Sequence, residues 1–104
     1  MRTGLVYFNN ILCGKIWEDD NYYFQYDKEY LNSDNPKSVS LTLPITDKIY
    51  ESNILFSFFD GLIPEGWLLN VAIDKWKLNR NDRMGLLLCV CEDTIGAVSV
   101  KEEK

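Results

Sequence analysis

The spacing of apolar residues changes in the middle of the chain, and this change limits the possible folds more than any other feature. In the first half the apolar residues form short runs rich in β-branched and aromatic types, which predict strands at 4–8, 11–18, 22–26 and 38–44. In the second half they recur at helical spacing, which predicts helices at 54–60, 64–78 and 83–91. A β-branched run predicts a closing strand at 95–100. Strands followed by helices predict an α+β fold. We expect a small antiparallel or mixed, barrel-like sheet that packs against two or three helices from the C-terminal half. The length predicts a single domain at 1–104.

Two short segments give the sharpest local predictions in the first half. Asn9 and Asn10 separate the first two runs, and because asparagine tolerates positive φ they predict a two-residue hairpin turn. In SVSLTLP, Val39, Leu41 and Leu43 alternate with serine and threonine. This period of two predicts a strand with one solvent-facing side in an antiparallel sheet.

The charge and the hydropathy of the chain argue against nucleic-acid and membrane partners. The 104 residues contain 11 lysines and arginines against 16 acidic residues, a net charge of −5 at pH 7. A negative chain is poorly suited to neutralising phosphate groups, so direct nucleic-acid binding is not expected. The sequence contains no apolar run long enough for a secretion signal or a membrane span, so we expect a cytoplasmic protein without membrane contact.

The sequence lacks the residue combinations of the common catalytic and metal-binding sites. Histidine is absent, which excludes a histidine-assisted catalytic triad. Cys13, Cys89 and Cys91 lack the further ligands of a zinc site and are expected to be small buried apolar residues, with redox sensing as the alternative. Asp60 and Glu65 could form a carboxylate pair, but each lies near a predicted helix end, where Glu65 complements the helix dipole. No cofactor, no metal and no complete enzyme are expected.

The segment FFDGLIPEGWLL, residues 58–69, predicts a tight corner between two helices. Gly61 is expected to end the first helix and Pro64 to open the second, since each residue type is favoured at that position. Gly66 permits a tight backbone, and Trp67 follows it at the start of the second helix. We expect this corner to hold the indole of Trp67 in one direction.

A helical wheel at about 100° per residue gives the second helix two apolar surfaces. One surface covers an arc of about 140° and is expected to meet the core. It contains Leu68, Leu69, Ala72, Ile73 and Trp76. The other lies among polar positions and contains Trp67, Val71 and Leu78. A two-layer domain buries only one surface of such a helix. The second surface is therefore either covered by strands or by the tail, or left for a partner. If it is exposed, an aromatic residue with apolar neighbours is typical of a binding hot spot.

Three motifs resemble the amino-terminal subdomain of HipA-type serine/threonine kinases and occur in the family's order. They are a serine-rich strand ending in proline, SVSLTLP at 38–44, the run FFDGLIPEG at 58–66, and DTIGAV at 93–98. The resemblance covers nearly the whole chain. The long family members continue into a second subdomain and a kinase domain with the nucleotide site and catalytic aspartates. Because this chain ends at Lys104, the resemblance implies no catalytic residue here.

A free-standing subdomain resembles the small HipS-type component of three-gene toxin–antitoxin systems, in which a HipT-like kinase and a helix-turn-helix, HipB-like repressor are encoded separately. The resemblance therefore implies a bacterial antitoxin that binds and neutralises a HipT- or HipA-like serine/threonine kinase and reaches the HipB-like repressor through that complex. We expect Trp67 to insert near the nucleotide or substrate cleft of the kinase. The expected partner-binding residues are Asp60, Gly61, Pro64, Glu65, Gly66, Trp67, Val71 and Leu78.

Two alternatives remain open. In the first, the subdomain scaffolds or stabilises the kinase and links it to the repressor without closing the kinase active site. In the second, the chain is an enzyme fragment or a small-ligand module with a polar pocket near the corner. The lining of that pocket would include Asp60, Glu65, Tyr22, Tyr23 and Tyr26. Packing within the sheet is the preferred explanation of these tyrosines.

Overall fold

A tight hairpin begins the fold. Strands β1 (Arg2–Phe8) and β2 (Ile11–Glu18) pair antiparallel around Asn9 and Asn10, which lie at φ 50° and 67°. Asparagine tolerates this left-handed conformation better than most residues, and the turn follows the twist of the two strands. The hairpin predicted at these two asparagines is confirmed.

The sheet is antiparallel and open. The computed structural model describes residues 1–91 and 96–103, and at Trp67 it describes the backbone without the side chain. Within these residues β3 (Tyr22–Tyr26), β4 (Tyr50–Ser52) and β5 (Val98–Glu102) join the hairpin in the order β4-β3-β2-β1-β5, and all neighbours are antiparallel. β4 and β5 are opposite edges, whereas a barrel would require these edges to pair. The predicted α+β class is confirmed, and the barrel-like closure is wrong.

Four helices lie between the described strands: α1 (Lys28–Leu31), α2 (Ser57–Asp60), α3 (Gly66–Trp76) and α4 (Arg83–Val90). The last three correspond to the predicted helices and are shorter than predicted, whereas α1 has no counterpart in the sequence-based prediction. Asp82 caps α4 by accepting a hydrogen bond from the Gly85 amide at 3.1 Å. None of the described helices is long and apolar enough to cross a membrane.

The segment SVSLTLP forms a turn and not the predicted strand. The Leu43 amide donates to the Ser40 carbonyl at 3.1 Å, and Leu41 at the tip is 96% exposed. Val39 and Leu43 are nevertheless buried. The hydroxyl of Tyr26 holds the two ends of this turn. It accepts a hydrogen bond from the Val39 amide at 3.0 Å and donates one to the Leu43 carbonyl. A buried side chain thus satisfies backbone groups that a strand would pair with its neighbour.

One apolar core lies between one face of the sheet and the helices. Most of its fully buried members come from the strands and from α2 and α4, and they include Val6, Ile16, Phe24, Phe59, Met84, Leu86, Leu87 and Val100. α4 packs against β5 and against α2. Because Phe59 near the end of α2 belongs to this core, the loop that follows α2 starts from a fixed point.

The cysteines divide into two buried thiols and one exposed thiol. Cys13 and Cys91 are fully buried, and burial raises the pKa of each to about 12. Cys89 is exposed on α4, and partial desolvation followed by the nearby charge of Glu102 raises its pKa as well. The burial predicted for all three cysteines is therefore wrong for Cys89. Because the thiolate is the reactive form, raised pKa values argue against redox sensing.

Candidate functional site

The corner between α2 and α3 is anchored to the core on its inner side. Phe59 is fully buried, and Ile63 is only 3% exposed. The Leu62 amide donates to the Phe59 carbonyl at 3.0 Å, and the Ile63 amide donates to the Asp60 carbonyl at 3.2 Å. These hydrogen bonds and buried side chains fix the path of the chain from the end of α2 into the corner.

Gly66 is the residue whose conformation turns the chain into α3. It lies at φ +63°, a left-handed conformation that strains residues with a Cβ. Glu65 before it is extended and exposed, and Pro64 precedes the helix instead of lying in its first turn. Gly61 has φ −69°, so the end of α2 does not require a glycine. The backbone geometry of the corner therefore depends on Gly66 more than on Gly61.

An ion pair joins the corner to α4. Nε of Arg83, the first residue of α4, donates to Oδ1 of Asp60 at 2.6 Å. Both side chains are partly exposed. Because Asp60 is held by an arginine, it has a structural partner at the corner, which weakens the interpretation of Asp60 and Glu65 as an acid–base pair.

α3 contacts the core along one narrow stripe. Leu69 and Ala72 are buried, and Ile73 is half-buried against the core. These residues are three and four positions apart, so they line one side of the helix. Leu68 and Trp76, which the wheel assigns to the same face, are 52% and 50% exposed, and that part of the prediction is wrong. A wheel gives the angle of each residue but not the width of the arc that the neighbouring layer covers.

An exposed apolar surface begins in the first turn of α3. Val71 is 51% exposed, and Leu68, three positions earlier, is exposed to nearly the same extent. The helical position of Trp67 falls within about 100° of both, although its side chain lies outside the described residues. We refer to positions 67, 68 and 71 as the α3 face. Leu78, also predicted for partner binding, packs partly against the core. Leu68 is the member that sequence reasoning missed, and its spacing of three from Val71 was the available signal.

The tyrosines considered for a ligand pocket have structural roles. Tyr23 stacks on Trp17 with 5.5 Å between ring centroids and donates a hydrogen bond to Asp20. Tyr26 holds the SVSLTLP turn, and Tyr22 packs against the core. These contacts support the sheet-packing explanation and weaken the small-ligand alternative.

A separate groove lies at the end of α3. Its volume is about 650 Å³, and the residues around it include Leu5, Tyr7, Trp76, Leu88, Cys89 and Lys101. Among its described lining residues there is no member of the predicted site. The groove is therefore distinct from the corner and from the α3 face.

These features define a small α+β domain whose principal candidate site is a helix surface. Residues 4–101 match the family model of the HipA N-terminal domain, and the chain belongs to this family. The resemblance inferred from the three motifs is thus confirmed, although residues 93–95 of the third motif lie outside the described residues.

Two further similarities cover the full chain. An uncharacterised protein of Haemophilus influenzae is 31% identical over 105 residues, and the alignment covers 100% of this chain and 95% of that protein. The chain is also similar to a solved structure described as the N-terminal domain of HipA toxin, with a TM-score of 0.72 and 26% identity. That match covers 100% of this chain and 94% of the solved one.

Proposed function

We propose that this protein is an antitoxin that binds a separately encoded HipT- or HipA-like serine/threonine kinase and blocks the kinase with the α3 face. The observation that carries the proposal is the exposed apolar pair Leu68 and Val71, which adjoins the position of Trp67 on an anchored helix start. Membership of the HipA N-terminal domain family supports a kinase of that type as the partner. The Haemophilus relative supports a free-standing form, since this chain covers 95% of it.

The anchored corner favours binding because it limits the entropy lost on docking. A side chain on a rigid support has less freedom to lose when it enters a partner's pocket. Here the buried Ile63, the left-handed Gly66 and the Asp60–Arg83 ion pair restrict the corner. The indole of Trp67 then enters the nucleotide or substrate cleft, with Leu68 and Val71 packed at its rim.

In this proposal the protein reaches its second partner, a HipB-like repressor, indirectly. A net charge of −5 disfavours direct contact with DNA, so a HipB-like repressor is reached through the kinase complex. In this proposal the protein has no catalytic activity of its own, requires no cofactor and acts in the cytoplasm with its kinase.

Substitution of the tryptophan at the corner tests the proposal. Trp67→Ala is expected to weaken binding to a HipA-family kinase by about 2 kcal/mol, roughly 30-fold in Kd, because truncation of a central aromatic anchor removes most of its contact area. Binding is measured by calorimetry and inhibition by kinase autophosphorylation with and without the chain.

Trp76→Ala is the matched control. Trp76 lies nine positions later on α3, on the opposite side of the helix by the wheel, and is half exposed. The Trp76→Ala variant is expected to bind and inhibit the kinase as the wild type does. Unaltered inhibition by Trp67→Ala would refute the insertion mechanism.

A second function is a scaffold that stabilises the kinase and links it to the repressor. The similarity to the N-terminal domain of HipA toxin favours it, because that domain is described as part of the toxin itself. The kinase assay separates the two functions. A scaffold leaves kinase activity unchanged or raises it when the chain is added, whereas an antitoxin lowers it.

A further inference from the structure

Arg83 occupies a position that helix stability does not explain. It is the first residue of α4 and follows the Asp82 cap directly. The positive end of the helix dipole lies at this terminus, where a cation is unfavourable. The compensating partner is Asp60, whose carboxylate accepts a hydrogen bond from Arg83 at 2.6 Å.

Asp60 gains from the same contact. It is the last residue of the single-turn helix α2, which has no basic residue of its own. The 2.6 Å distance is that of a close charge-assisted hydrogen bond. The pair therefore joins two helix ends whose charges each lack compensation within their own helix.

The fold holds the start of α4 and the end of α2 in different ways. α4 has three fully buried side chains, Met84, Leu86 and Leu87. Its cap, Asp82, also receives two hydrogen bonds from Arg2 at 2.8 Å. Asp60 in contrast leads directly into the corner, where its carbonyl accepts the Ile63 amide. α4 is thus a firm support, and the ion pair adds a side-chain constraint from α4 to a corner that Phe59 and Ile63 already hold on the core side.

We infer that Arg83 is the positioning residue of the corner: it holds Asp60 and thereby fixes the place and direction in which α3 begins. α3 depends on this constraint because only Leu69 and Ala72 are buried among its described side chains. The consequence for kinase binding rests on the proposed function. The positioning of the corner itself is measurable on the chain alone.

Hydrogen–deuterium exchange of the free chain tests the positioning. In Arg83→Ala the amides of Leu62 and Ile63 are expected to exchange about threefold to fivefold faster, since a partly exposed ion pair shifts local opening by a factor of this order. Lys15→Ala is the matched control, because it also removes one cation and one ion pair, that of Lys15 with Glu103 at 3.6 Å. It is expected to leave exchange at the corner unchanged.

Kinase affinity tests whether the Asp60–Arg83 ion pair matters for binding. Exchanging the two charges distinguishes loss of the ion pair from a general loss of stability. Asp60→Arg and Arg83→Asp are each expected to raise the Kd about fivefold, and the double variant is expected to restore most of the affinity. Arg83→Lys, which keeps the charge, is expected to retain most of it. None of these changes is expected in the Lys15→Ala control.

The outcomes distinguish this inference from the proposed function. Wild-type exchange at the corner in Arg83→Ala would overturn the inference, as would a double variant that binds no better than the single ones. Wild-type kinase binding by Trp67→Ala together with faster corner exchange in Arg83→Ala would overturn the insertion mechanism and support the role of Arg83.

Discussion

Gly66 is the corner residue whose replacement has the clearest consequence. An added Cβ would meet nothing within 4 Å, so the cost comes from the backbone at φ +63° alone. Gly66→Ala is expected to lower the free energy of unfolding by about 1 kcal/mol in urea denaturation. Gly66→Asn is the matched variant and is expected to cost less, because asparagine tolerates this conformation, as Asn9 and Asn10 do here. Equal unfolding free energies for Gly66→Ala and the wild type would contradict this account.

Single-residue predictions succeed where the determining forces are local. The hairpin at Asn9 and Asn10 follows from the conformational preference of two adjacent residues, and the sequence contains all that is needed. Gly61 and Gly66 both permit left-handed backbone, but only the fold shows that Gly66 alone adopts it. The exposure of Cys89 likewise depends on which side of α4 meets the core, which its own residue type does not specify.

The two adjacent leucines of α3 separate folding from binding within one helix. Leu69 is 7% exposed, whereas Leu68 is 52% exposed. Leu69→Ala is expected to lower the free energy of unfolding by about 2–3 kcal/mol, because it removes buried methyl groups and leaves a cavity. Leu68→Ala is expected to change it by less than about 0.5 kcal/mol, as other exposed sites do.

Kinase binding is expected to depend on these leucines in the opposite way. Leu68→Ala is expected to weaken binding because Leu68 belongs to the α3 face, and a folded Leu69→Ala protein is expected to bind nearly as the wild type does. Urea denaturation and calorimetry on the same samples provide both measurements. A Leu68→Ala protein that binds with wild-type affinity would exclude Leu68 from the interface.

Periodicity identifies the helices but not the surfaces that they bury. α3 is predicted from its spacing, yet its buried stripe is narrower than the predicted arc, because the extent of the neighbouring layer determines how much of a helix is covered. The SVSLTLP segment shows the same limit for strands. Its alternation reflects the burial of Val39 and Leu43, but the Tyr26 hydroxyl replaces the strand partner, and Tyr26 lies in a different strand.

The candidate site also combines predictable and unpredictable parts. The family could be predicted from three motifs, since each motif is a contiguous stretch of sequence. The Asp60–Arg83 pair joins residues 23 positions apart, and only the packing of α2 on α4 brings them together. The open sheet has the same origin, because the pairing of edge strands depends on the whole set of strands and not on any one of them.

Arg2 links the two layers of the molecule. From β1 it donates hydrogen bonds to Glu18 on β2 and to Asp82 at the start of α4. The Arg2 contact, together with the Gly85 amide, lowers the pKa of Asp82 below its usual range. Because the pKa of Asp82 is lower in the folded chain than the value of about 3.9 in an unfolded chain, the contact stabilises the fold above about pH 4 and is lost as the pH falls further.

Acid unfolding of an Arg2 variant tests this link between the layers. At pH 7 Arg2→Ala is expected to lower the free energy of unfolding by about 1 kcal/mol, a modest value because the charges are partly exposed. The difference from the wild type is expected to shrink as the pH falls from 4 towards 2, since protonated Asp82 no longer binds Arg2 as an ion pair. Urea denaturation across this pH range measures it, with Lys15→Ala as the ion-pair control. A difference that stays constant down to pH 2 would show that Arg2 acts through packing of its side chain and not through its charge.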